Sequence, residues 1–410
     1  MDTIVPISFD NTENAFAYKT DKELKKAKFL FSSMGYPLLV NWGIRLTPWA
    51  IKAGLPVKRI IRNTIFEQFV GGETLEEMAA VAKKLGKYNV RVILDYGVEG
   101  GENGESAFDH SMNEFIRVID YASTQSNIPF ISIKVTGFAR FGLLEKLDSS
   151  VSDHQGSLMK RYSNAVASLS DEERTEWQNV QRRMETICRT AAEKRIGVLV
   201  DAEETWIQDP VDALIMVMMD EYNREKLVIY NTVQLYRHDR LTFLMQSYEA
   251  ALERNFLLGI KLVRGAYMEK ERKRAKSKGY PSPIQPDKIS CDKDYNEAVR
   301  FCIDRLEQIG VIIASHNEQS NLLGVQLLNE KGLPPDHAHV HFSQLFGMSD
   351  NITYNLAKAG CSVSKYLPFG PIKDVVPYLM RRAEENTSVG GQTSRELNLI
   401  KREMDRRKIS

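Results

Sequence analysis

From about residue 90 the chain alternates short, β-branched apolar runs with longer amphipathic stretches. The runs are Val92–Leu94, Ile131–Val135, Gly197–Val200, Val228–Tyr230, Gly259–Val263, Val311–Ala314, His339–Phe342 and Ser362–Tyr366. Runs of this kind read as strands, and helical stretches between them imply a parallel sheet. Eight such units over roughly 300 residues fit a closed β/α barrel. An open doubly wound sheet is the rival, but no GxGxxG follows any run, so its dinucleotide fingerprint is missing. Ahead of this region, residues 12–65 carry apolar positions at helical spacing around Leu24, Ala27, Phe29, Leu30 and Phe31. Between the second and third runs the rhythm breaks over residues 145–185. Ser149, Ser150, Ser152 and Asp153 suggest a loop there, and Ser170 suits the cap of a helix that opens Asp171-Glu172-Glu173. The expected organisation is an N-terminal helical segment (1–68), a barrel (69–395) with a helical insertion (145–185), and a charged C-terminal tail (396–410).

Nearly every strand candidate runs into polar residues. These are Asp95, Lys134, Asp201 to Glu204, Gln234, Arg264, Ser315-His316-Asn317, Gln344 and Tyr366. In a β/α barrel the C-terminal strand ends carry the active site, so such groups converge there. The competing explanation, polar caps for the following helices, suits any one strand better than all eight together. In the second strand, Ile131, Ile133 and Val135 alternate with Ser132, Lys134 and Thr136, which puts the polar set toward the barrel interior or its rim. After the fifth strand, Arg264-Gly265-Ala266-Tyr267 is either an anion-facing strand end, with Lys261 nearby, or a tight turn with surface charge. After the eighth, Tyr378, Arg381, Arg382 and Glu385 fall at i, i+3, i+4 and i+7 and share a helix face. Paired guanidinium groups suit a carboxylate or phosphate; the alternative is a surface helix with internal ion pairs. His337, His339 and His341 also alternate, but no carboxylate lies at ligand spacing and HExxH is absent, so packing is expected and not metal.

Composition narrows the classes. With 55 basic and 54 acidic residues, broad nucleic-acid binding is not expected. Cys188, Cys291, Cys302 and Cys361 form no CxxC pair and read as reduced thiols. Residues 1–20 carry Asp2, Asp10 and Glu13 and no long apolar run, so a cytoplasmic location is expected.

Several stretches together resemble the proline dehydrogenase family: LVRGAYMEKERKRA with GYPSPIQP, YLPFGPIKDVVPYLMRRAEENTSV, FVGGET, SIKVTGF, VDAEET, ASHN and QLFGM. The resemblance runs from about residue 69 to 389 and is to the longer, monofunctional, eukaryotic-like members. It implies an α/β fold, a distorted (β/α)8 TIM barrel holding FAD non-covalently at its mouth. The implied reaction oxidises L-proline to 1-pyrroline-5-carboxylate, with hydride to flavin N5 and electrons passed to a quinone. A quinone acceptor implies peripheral association with a membrane. Residue by residue, Lys134, Arg381 and Arg382 would bind the substrate carboxylate, and Tyr366, Tyr378 and Leu345 would pack around its ring. Asp201 would orient Lys134 and Tyr366, and Glu73 would pair with the first clamp arginine. Ala202, Gln234, Lys261, Arg264, Gly265, Ala266, Tyr267, Ser315, His316, Asn317, Gln344 and Glu385 would hold the flavin, with Asp201 and Lys261 closest to the chemistry. Lys261 and Met268 depart from Arg and Trp found in some members. Two other readings stay open: a hydroxyproline dehydrogenase on the same scaffold, which the bulk of Tyr366 disfavours, and a barrel aldolase using Lys134 as Schiff-base nucleophile.

Overall fold

The computed structural model describes residues 7–34, 59, 61–97, 104–388 and 392–409, without the side chains of 384–388 and 392–393. All eight expected strands are present: β1 (Arg91–Tyr96), β2 (Phe130–Ile133), β3 (Gly197–Val200), β4 (Ile229–Gln234), β5 (Leu258–Val263), β6 (Ile309–Ala314), β7 (Val340–Leu345) and β8 (Val363–Phe369). They close into a barrel in sequence order. The chain divides into two compact units, residues 98–315 with 323–341, and residues 1–97 with 316–322 and 342–410.

In the first of these units β2 to β6 pair in parallel. Large and small residues are matched along these strands. The Phe130 ring fills the space where a Cβ on Gly197 would stand, 2.4 Å from it, and a Cβ on Gly259 would lie 3.0 Å from the Tyr230 ring. Phe130 meets Tyr230 and His341 edge-on, at centroid distances of 5.6 and 5.1 Å. His341 is thus a packing residue, while His337 and His339 lie ahead of β7 and not on its face. The insertion between β2 and β3 is three helices, Phe141–Asp153, Leu158–Ala167 and Asp171–Lys194. Ser170 caps the last in a reciprocal capping box with Glu173.

In the other unit β8 pairs with β7 and β1. The helices Thr12–Phe16, Asp21–Met34, Ile372–Ser388 and Gln392–Arg406 share one apolar core built on Phe16, Leu24, Phe31, Phe69, Leu379 and Leu399. The charged tail expected at 396–410 is therefore mostly helix. Its charge count hid a buried stripe of Leu399, Ile400 and Met404. Much of the N-terminal helical expectation, residues 35–58, lies outside the described residues. The four cysteines are free and buried, and among the described residues no helix is long and apolar enough to cross a membrane.

Candidate active site

Strand alternation sends Lys134, Asp201, Gln234, Lys261 and Arg264 to or just past the C-terminal ends of β2, β3, β4 and β5. Two lysines meet one carboxylate. Lys261 donates to Asp201 Oδ1, and Lys134 Nζ lies 3.9 Å from Asp201 Oδ2. Both lysines are buried, and the Asp201 side chain is 14% exposed. Lys134 and Asp201 thus form an ion pair within this unit, at a distance longer than a hydrogen bond. Gln234 donates through Nε2 to the Glu203 carbonyl at 2.9 Å, while its buried Oε1 has no partner. Glu203 is itself held by the Thr136 hydroxyl at 2.8 Å.

Arg264 is fixed from three sides. It donates to Asp292 at 2.8 Å and to the Ser315 hydroxyl at 2.7 Å, and its guanidinium lies 4.3 Å from the Tyr295 ring centroid. Next to it Gly265 has φ +139°, and a Cβ there would lie 2.4 Å from the Tyr236 ring, so only glycine suits this bend. Gly265 and Ala266 are exposed, Ala202 is half-buried, and Tyr267 precedes the helix Met268–Lys278. Neither Asp292 nor Tyr295 was legible as part of this set. Both sit on the ordinary amphipathic helix Lys288–Ile303, which carries no motif.

In the other unit Tyr366 lies in the middle of β8 and does not end it, because the strand continues through Pro368 to Phe369. Proline has no N–H to offer there, and its carbonyl accepts from the Gly71 N–H, outside the sheet, at 2.7 Å. Tyr366 is the register partner of Leu345, which sets the two expected ring-packing residues side by side. On the helix Ile372–Ser388, Tyr378 and Arg382 are buried, with the Arg382 guanidinium 5.1 Å from the Tyr378 ring, and Arg381 is half-buried. Glu385 is on the same helix, its side chain outside those described.

Three of the expected site residues are engaged by other protein groups. Glu73 pairs with Arg62 at 2.7 Å and accepts from the Ile372 N–H at 3.4 Å, so its charge is met by Arg62 and not by Arg381. Gln344 bridges Asn321 at 3.2 Å and the Thr353 hydroxyl at 2.8 Å, which engages both ends of its amide. Asn317 caps the helix Glu318–Glu330 by accepting from the Ser320 N–H at 3.0 Å. His316 is partly exposed, and its Nδ1 lies 2.8 Å from the Ser349 hydroxyl.

A buried cluster that sequence reading missed lies behind β8. Lys365 meets Asp350 at 2.9 Å, Tyr18 donates to Asp350 at 2.7 Å, and Lys19 stands 3.9 Å away. The neighbouring ammonium groups, despite burial, hold the Asp350 carboxyl below its usual range. Glu396 accepts from the Ser349 N–H, and burial pushes its carboxyl up to about 7. The signal was Lys365 itself, a lysine in the apolar phase of Val363-Lys365-Leu367.

A flavin suits what the strand ends offer. Gln234 presents a buried acceptor in want of a donor. Gly265 opens the backbone to close approach, and the braced Arg264 and Lys261 supply cations for an electron-rich ring or a phosphate.

The profile of the proline dehydrogenase family matches residues 78–395. Proline dehydrogenase 1, mitochondrial, of Dictyostelium discoideum is 33% identical over 387 residues, covering 87% of this chain and 67% of the relative. The hydroxyproline dehydrogenase of Xenopus laevis is 31% identical over 414 residues, covering 96% and 88%. Among solved structures, proline utilization A (PutA) of Bdellovibrio bacteriovorus, inactivated by N-propargylglycine, superposes with TM-score 0.68 at 18% identity. That match covers 94% of this chain, which spans 40% of the length of PutA. With its strand-end lysines, its braced arginine and a profile match over most of its length, the chain belongs to the proline dehydrogenase family.

Proposed function

We propose that this chain oxidises L-proline to 1-pyrroline-5-carboxylate, with FAD as its flavin and a quinone as electron acceptor. The observation that carries the reading is the pair of lysines, one just past β2 and one in β5, converging on Asp201 after β3, inside a sequence that matches the family over residues 78–395. Lys134, Arg381 and Arg382 bind the substrate carboxylate; cations are the groups that hold an oxyanion firmly. Asp201 keeps the two lysine side chains from collapsing into other rotamers, so Lys134 is presented in one geometry. Tyr366, Leu345 and Tyr378 exclude water around the ring. A flavin held at the strand ends would supply the two-electron acceptor that the oxidation requires. Gln234, Arg264, Gly265, Ser315 and His316 would hold it. The quinone brings the protein to a membrane surface without any need for a spanning helix.

The name of the Xenopus relative favours a second reading, oxidation of hydroxyproline. Tyr366 opposes it, since its bulk leaves a ring hydroxyl neither space nor a water partner. Family membership sets aside the aldolase reading of Lys134.

The test is product balance. Purified protein with L-proline and a soluble quinone should yield one 1-pyrroline-5-carboxylate, trapped with o-aminobenzaldehyde, per quinone reduced. Absence of the trapped product would overturn the reading; product with peroxide and no quinol would overturn the acceptor. N-propargylglycine, which inactivates a PutA, should inactivate this protein with loss of the oxidised flavin spectrum.

A further inference from the structure

We propose that the C-terminal helix Gln392–Arg406 is a positioning element for His316, acting through its neighbouring residues Arg395 and Glu396. This rests on the reading above, in which His316 contacts the flavin. Two segments flank the His316 side chain, and the helix grips both. On one side Arg395 donates to Glu318 Oε1 at 2.9 and 3.1 Å, two residues beyond His316, and the Asn351 amide donates to the same oxygen at 2.9 Å. On the other side Glu396 accepts the backbone N–H of Ser349, whose hydroxyl lies 2.8 Å from His316 Nδ1.

Ser349 is a serine in the left-handed region, φ +51°, where side chains with a Cβ rarely sit without support. The support is visible. Its N–H is held by Glu396, and its carbonyl accepts from the Thr353 N–H at 3.1 Å and hydroxyl at 3.3 Å. Releasing Glu396 frees the residue to relax toward ordinary φ, which carries its hydroxyl away from His316. A hydroxyl that donates to Nδ1 fixes the ring orientation and its tautomer, with the proton on Nε2. The helix is fixed in turn by Leu399, Ile400 and Met404 in the core. The charged and titratable groups facing Glu396 are Asp350, Lys365 and Lys19, with Tyr18 bonded to Asp350. Arg395 also reaches Asp10 at 3.1 Å, which ties the same point to the N-terminal segment.

The test is a double-variant cycle read by FAD affinity of the full-length protein, measured by fluorescence. His316→Ala and Glu396→Ala should each weaken FAD binding roughly tenfold, and the double variant should be no weaker than His316→Ala alone. Glu396→Gln, which keeps an acceptor for the Ser349 N–H, should stay within about twofold of wild type. A support role unconnected with His316 would make the losses multiply in the double variant, and that result would overturn the proposal. Should Glu396→Ala fail to fold, Arg395→Met, at a side chain 42% exposed, enters the same cycle. Wild-type protein that takes up no FAD would sink the functional reading as well; FAD binding with multiplicative losses would sink only this inference.

Discussion

Lys134 and Lys261 share Asp201 at the strand ends of one unit, and Lys19 and Lys365 share Asp350 in the other. The residue types are the same, but the settings differ. Lys365 is fully buried and is also bonded to the carbonyls of Leu345 and Met348, while Asp350 takes the Tyr18 hydroxyl as well. Lys134 and Asp201 keep 10% and 14% of their side chains exposed and sit where strands end. An ion pair enclosed behind a strand holds structure, whereas one that reaches solvent at strand ends can exchange water for a ligand.

Removing each carboxylate should separate the two roles, and this is the largest effect expected. Asp350→Ala leaves a buried ammonium uncompensated and should cost about 3–5 kcal/mol in urea unfolding. Asp201→Ala should cost much less stability yet abolish most proline turnover. Equal losses of stability would erase the distinction.

The next effect is pH dependence. Burial raises the Glu396 carboxyl from its ordinary 4.5 to about 7. An acid raised on folding binds protons that the unfolded chain has released, so the contribution of Glu396 to stability is greatest below pH 4.5 and falls as pH rises toward 7. The full span is about 3 kcal/mol. Asp148, raised by burial to about 7 in the other unit, adds a slope of the same sign. Thermal unfolding of Glu396→Gln between pH 5 and 8 should show a shallower decline than wild type. An unchanged slope would place the titration elsewhere.

Arg382→Met and Lys134→Met each remove a charge-assisted hydrogen bond worth roughly 1.5–3 kcal/mol. Proline KM should rise about ten- to a hundredfold while flavin stays bound, and steady-state kinetics with an absorbance spectrum decide it. The smallest effect concerns the ring. An unmatched buried hydroxyl costs roughly 1–3 kcal/mol, so wild type should prefer L-proline to trans-4-hydroxy-L-proline by about tenfold or more in kcat/KM. Tyr366→Ser should narrow that preference, and a preference left unchanged would free Tyr366 from the role.

The strands, their order and the break between the second and third were legible because β-branched apolar runs and capping chemistry are local signals. The strand-end candidates followed from where those runs end. What stayed hidden depends on tertiary placement. Asp292 and Tyr295 brace Arg264 from a helix whose sequence advertises nothing. Arg62 takes Glu73, a choice set by which guanidinium lies within reach. The 396–410 segment looked like solvated charge because three apolar residues at helical spacing are easily lost among lysines and arginines. Lys365 alone broke the alternation of its strand, the one mark the buried cluster left in the sequence.

The most direct test of flavin-dependent proline oxidation is an anaerobic absorbance titration of the purified protein with L-proline. The protein should be yellow, with a flavin band that bleaches as L-proline is added. Colourless protein that FAD cannot reconstitute, or bound flavin that stays oxidised with excess L-proline, would contradict it.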